Sequence, residues 1–219
     1  PINDVDLFVV RSEQYREIGK IPIPRDQLLE ELSAVVREVF PNQTPRRQNR
    51  SLGILFPEFR IDVVPAFART GGGYFIPDRG TGTPDWLYTN PDKQAAFTAA
   101  IDRSTGQMAT PLVKMMKVWN RNRSVGLKSY HVEVMVLRAL NGKPPSFAEG
   151  MKTLFERIEH AIKRSSGDPG ESSGTLDAYL DPHSRDRAAE EARQAATKMT
   201  EALGLVSLKR EMGGHSDRG

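Results

Sequence analysis

Apolar residues change their spacing along this chain, and the change divides it into a mixed half and a helical half. Val5, Leu7, Phe8, Val9 and Val10 form a short, largely β-branched run that reads as a buried strand. After a connector holding Pro22 and Pro24, Leu28, Leu29, Leu32, Val35, Val36 and Phe40 recur at helical spacing. That pattern predicts a helix with Asp26 as its N-cap and Pro41-Asn42 as its stop. RSLGILF (50–56) and RIDVVPAF (60–67) read as two further strands. The Gly-rich stretch from Ala68 to Trp86 reads as loop, long enough to suggest function, with a plain surface excursion as the alternative.

Beyond Asn90-Pro91 the period becomes helical over 92–104, 108–121, 128–140, 148–164 and 184–203. Residues 165–174, SSGDPGESSG, read as a linker or an ordered loop. The last helix carries a stripe of Ala188, Ala192, Ala195, Ala196, Met199 and Leu203, with alternating Glu and Arg on its polar side. The expected class is α+β: a mixed-sheet lobe over 1–105 joined to a helical lobe over 106–219, with a cleft between them.

Composition narrows the chemistry. The 219 residues include no cysteine, which excludes disulfides, thiolate metal sites and cysteine nucleophiles. Lys and Arg number 31 against 28 Asp and Glu, a mild excess that suits a phosphate-bearing substrate better than long nucleic acid. No apolar run approaches the roughly 20 residues that span a bilayer, so we expect a cytoplasmic protein with no membrane partner. Four scattered histidines (131, 160, 183, 215) have no zinc-ligand spacing.

The carboxylates carry the sharper signal. Asp4 and Asp6 are two apart in a strand, so they leave the same face about 6.5–7 Å apart along it. Asp62 sits in the apolar strand IDVV, where an unpaired charge is costly. A lone DxD also fits an N-terminal turn or cap pair. With Asp62 added, the three point to a metal-assisted phosphoryl-transfer site holding two ions.

In the helical half, PLVKMMKVWNRNR places Lys114 and Lys117 on one helical face, either as snorkelling stems or with a lysine that grips triphosphate oxygens. Ser129 and Tyr130 open the next helix, where free N–H groups favour an anion and an aromatic ring can stack on a base. His131 and Glu133 read as packed or hydrogen-bonded structural residues. The basic cluster PRRQNR, with Arg46, Arg47 and Arg50, either lines a nucleotide cleft or faces water.

Taken together, DVDLFVV, RIDVVPAF, YFIPDR…W…TNP, LVKMMKVWNRN, LKSYHVEVMVL and DPGESSGTLDAYLD resemble the bacterial cGAS/DncV-like nucleotidyltransferases (CD-NTases) of the polymerase-beta-type superfamily. The resemblance runs over essentially the whole chain. It implies a polymerase-beta-like nucleotidyltransferase lobe, a helical lobe like that of oligoadenylate synthetases, and an active site in the cleft. It places the metal triad on Asp4, Asp6 and Asp62, the triphosphate lysine on Lys117, and the serine and base-stacking tyrosine on Ser129 and Tyr130.

The implied cofactors are two Mg²⁺ ions, with Mn²⁺ as a substitute, and the substrates are ATP, GTP or other nucleoside triphosphates. The implied product is a cyclic di- or trinucleotide second messenger, released with pyrophosphate. It would activate a separate effector protein in CBASS anti-phage (antiviral) defence. Some members are also conjugated to a partner through a C-terminal glycine, here Gly219, against the plainer reading of a disordered tail. The family's Gly-Ser motif precedes its DxD strand, so we expect native residues ahead of Pro1. Alternatives within catalysis are a linear oligonucleotide synthase or an RNA-tailing enzyme, and outside it a catalytically silent nucleotide-binding scaffold.

Overall fold

The computed structural model describes residues 4–78, 85–170 and 175–213, excluding the side chains of Asp4 and of 205–213. Two compact units divide the chain, one over Pro1–Lys93 and Gly170–Ser173 and the other over Gln94–Pro169 and Gly174–Gly219.

The first unit is built on a six-stranded mixed sheet: β1 (Asp4–Tyr15), β2 (Arg46–Arg47), β3 (Leu52–Leu55), β4 (Arg60–Arg69), β5 (Tyr74–Pro77) and β6 (Trp86–Thr89). Strand β4 organises it. β1 runs parallel to β4 over the whole of β4's length. On the opposite edge, β3 pairs antiparallel with the first half of β4 and β5 with the second. Side-chain alternation then sorts β4 into two faces. Val63 packs with Leu29, Leu32 and Val36 of helix α1 (Arg25–Val39), and Phe67 packs with Leu28, Phe75 and Trp86. Val64 and Ala66 belong to the other face, with Ile76 and Phe8. Asp62 has the parity of Val64, so it emerges on the side away from α1.

Three details depart from the sequence reading. The α1 N-cap is Pro24, in extended backbone, and Asp26 lies in the first turn, where it accepts from Arg47 Nη2 at 2.8 Å. The segment after Ala68 is not all loop. Gly71, Gly72 and Gly73 have φ of 95°, 103° and 78°, a turn that folds β5 back on β4, and β6 then pairs with β5. Finally, β1 runs on through the polar Arg11–Tyr15, because β4 remains alongside as far as Arg69, with a register irregularity between Arg11 and Gln14.

The second unit is helical: α3 (Ala109–Asn122), α4 (Ser129–Ala139), α5 (Phe147–Ala161) and α6 (Pro182–Gly213), with α2 (Pro91–Ser104) leading into it. Its core gathers Leu112, Met116, Leu137, Leu154, Ile158 and Ile162. From α6 it receives Ala188, Ala189, Ala192 and Ala196, whose small side chains let that helix lie close to the others. Helix α6 exceeds its expected span the most, running ten residues past Leu203. The expected linker at 165–174 is partly ordered: Gly167 bridges Thr175, and Asp177 accepts from Ser166 N–H. No helix among the described residues is long and apolar enough to cross a membrane.

Candidate active site

The parallel register sets Asp6 directly opposite Asp62, and the Asp4 backbone opposite Arg60. Neighbouring strands lie about 4.8 Å apart, so two carboxylates share one patch of sheet, where like charges repel. Asp6 is exposed, whereas Asp62 is only 8% exposed.

Asp62 is held from both sides. Gln48 Nε2 donates to its Oδ1 at 2.7 Å, and Arg60 Nη2 donates to its Oδ2 at 3.0 Å. Gly53, its partner on β3, leaves the necessary room: a Cβ there would stand 2.6 Å from Gln48 Nε2 and 3.2 Å from Asp62 Oδ1. Sequence reading missed Gln48, Gly53 and Arg60. Gly53 alone carried a signal, as a glycine inside an apolar strand where another group approaches closely. In the PRRQNR cluster, Arg47 binds Asp26 and Arg50 binds the buried Asp78 at 3.0 Å, while all three arginines remain exposed.

Hard oxygen donors facing each other across two strands fit a divalent cation. Arg60 supplies the balancing charge in this structure. Among the described residues, no three His, Cys, Asp or Glu side chains gather into a metal-holding group. The Asp4 side chain, third of the expected triad, lies outside the described residues.

The helical unit brings the other three candidates together at the start of α4, Lys117 from α3 and the other two from α4 itself. Ser129 and Tyr130 occupy its first turn, and the N-cap Lys128 offers no side-chain cap to the helix N–H groups. Glu133, one turn on from both, accepts from Lys117 Nζ at 2.6 Å, so Lys117 is brought beside that helix end. The Tyr130 hydroxyl donates to Asp168 Oδ1 at 2.5 Å. Burial and the Asp168 carboxylate raise its pKa well above the usual phenol value, so the hydroxyl stays protonated.

Below this turn, Tyr179 OH accepts from Lys128 N–H at 2.7 Å and meets His131 Nδ1 at 3.1 Å. His131 is buried, which pushes its pKa down. His131 and Glu133 are thus both hydrogen-bonded within the helical unit.

A mixed sheet bearing register-paired carboxylates, together with a unit of packed helices, defines a polymerase-beta-type nucleotidyltransferase fold. Residues 2–101 match the family model of the Second Messenger Oligonucleotide or Dinucleotide Synthetase domain. The chain is 30% identical over 168 residues to the cyclic AMP-AMP-AMP synthase of Acinetobacter sp. (strain ATCC 27244 / 9458), covering 75% of this chain and 45% of that protein. It therefore spans less than half of that relative's length.

Among solved structures, Escherichia coli MS115-1 CdnC with ATP matches with a TM-score of 0.69 at 18% identity, over 92% of this chain and 72% of that one. Escherichia coli DncV in its 3'-deoxy GTP bound form matches with a TM-score of 0.70 at 15% identity, over 91% and 58% respectively. Over residues 2–101 the chain is thus similar to that synthetase domain, and its fold is that of the CD-NTases CdnC and DncV.

Proposed function

We propose that this chain supplies the catalytic core for joining nucleoside triphosphates into a cyclic di- or trinucleotide, with release of pyrophosphate. The observation that carries the reading is the Asp6–Asp62 register, which pairs two carboxylates on adjacent strands. Asp6, Asp62 and Asp4 are the residues that would hold two Mg²⁺ ions. Bound there, the ions would lower the pKa of an attacking ribose hydroxyl and neutralise the departing pyrophosphate.

The chain's own groups do the rest. Gln48 and Arg60 fix the Asp62 carboxylate, so the acceptor hydroxyl meets an oriented base. Ser129 and the first-turn N–H groups of α4 take phosphate oxygens, and Lys117 exchanges Glu133 for the triphosphate. The Tyr130 ring is the stacking surface for a base, positioned by its bond to Asp168.

A small-nucleotide substrate is favoured over an RNA primer because Arg47 and Arg50, in the densest basic cluster, are engaged with Asp26 and Asp78. Such chemistry draws on the triphosphate pool of the cytoplasm. The product would act on a separate effector protein. Conjugation to a partner through Gly219 concerns a residue outside the described ones.

Chromatography of products from the four NTPs and Mg²⁺ tests the reading. Asp62→Asn should abolish a phosphatase-resistant small product while the melting temperature changes by only a few degrees. Substantial cyclic product from folded D62N protein would overturn the assignment.

A further inference from the structure

The helical unit holds a cavity of about 460 Å³ where the C-terminal ends of α4 and α5 meet the segment that follows α5. Its size is that of a small-molecule site. Its floor is apolar, from Met135 and Ala161, while Arg138, Arg157 and Arg164 line it together with His160. No carboxylate is among the described residues that line it.

Two of the guanidinium groups are already held in place. Arg138 Nη1 donates to Ser166 Oγ at 2.9 Å, and Arg157 Nη1 donates to the Ala139 carbonyl. Each is anchored through one nitrogen, which leaves its other N–H donors to form a fork. Three guanidiniums around one concavity repel each other, and an anion between them relieves that cost. Carbonyls at helix C-termini explain why Arg157 sits here. They do not explain why Arg138 and Arg164 join it over an apolar floor.

Arg138 is eight residues beyond Tyr130 on α4, about 12 Å along the axis by helical rise. At roughly 100° per residue, Arg138 and Met135 also lie on a different side of the helix from Ser129 and Glu133. The cavity is therefore separate from Ser129 and Glu133, although Arg138 is near enough to Tyr130 to interact with it electrostatically.

We propose that this cavity is a second, noncatalytic nucleotide site, taking a phosphate on Arg138 and Arg164 and a base over Met135 and Ala161. The proposal does not depend on the reaction assigned to the carboxylates.

Isothermal titration with AMP in excess EDTA, which removes divalent cations from the carboxylate site, tests it. Wild-type protein should bind AMP with a Kd below about 1 mM, and inorganic phosphate at least several-fold more weakly, because phosphate does not use the apolar floor. Arg164→Gln, and Arg138→Gln with Arg164→Gln, should weaken AMP by about tenfold or more, whereas Lys117→Ala should leave it unchanged. The Arg164 side chain has no hydrogen bond to lose among the described residues, so the single variant guards against misfolding of the double one. Undiminished binding by folded R164Q protein would overturn the site. So would loss of binding in K117A, or no wild-type binding at 10 mM AMP.

Discussion

At Asp62 the important quantity is orientation. Its two oxygens are aimed by one amide and one guanidinium, and Gly53 is small because the amide stands against its Cα. Gly53→Ala should displace Gln48, since 2.6 Å is closer than a Cβ tolerates. We expect product formation to fall by about tenfold to a hundredfold, the scale of a carboxylate misplaced by roughly 1 Å. The loss of stability should be about 1 kcal/mol, read by urea unfolding.

His131 supplies a pH dependence. Its folded pKa lies below the unfolded value of about 6.5, so the unfolded chain binds more protons at acidic pH. This contribution is complete above about pH 6.5 and is lost as pH falls through that value toward the lower folded pKa. Thermal melts between pH 7.5 and 5 should show a steeper decline for wild type than for His131→Leu; equal slopes would assign the proton uptake elsewhere.

At the scale of elements, the small-residue stripe of α6 makes a separate claim. Ala188 and Ala192 are fully buried against the other helices. Ala192→Leu should therefore cost about 1–3 kcal/mol by overpacking, seen as a lower urea midpoint with an unchanged slope.

The same stripe shows what was legible in the sequence. Periodicity located α1 and α3–α5 to within three residues, because each has an apolar stripe of its own. It missed β5 and β6, whose four residues each lie among Gly and Pro and become strand only by pairing with their neighbours. It also missed the polar half of β1, which is strand only because β4 extends beside it. Candidate site residues were legible as types, since charge in an apolar strand is conspicuous. Their holders were not. Gln48 and Arg60 are ordinary polar residues until the β3–β4 hairpin folds them around Asp62.

Across the whole molecule, β1 is the exposed element. Val5, Leu7, Val9 and Val10 are 40–50% accessible, contrary to the buried strand their pattern predicted, because β1 pairs on one side only, with β4. Exposed apolar edge strands invite pairing with other chains. A Val5→Thr, Val9→Thr double variant keeps β-propensity and should show weaker fluorescence of a hydrophobic dye and less light scattering on concentration. Unchanged signals in the variant would place the adhesive surface elsewhere.

The β1–β4 pairing also sets a rule for which insertions and deletions this scaffold tolerates. Asp6 meets Asp62 through a count of residues, and a strand has only two phases. Removing one residue between Asp6 and the Arg11–Gln14 irregularity would turn Asp6 toward α1, out of reach of its partner, while every backbone hydrogen bond could re-form. Removing two would restore its phase but slide it one pair along, opposite Val64. The turn at Gly71–Gly73 lies outside this count, so its length can vary without altering the phase of the two carboxylates. Lineages of this fold should therefore accumulate length changes in such turns and almost none within β1.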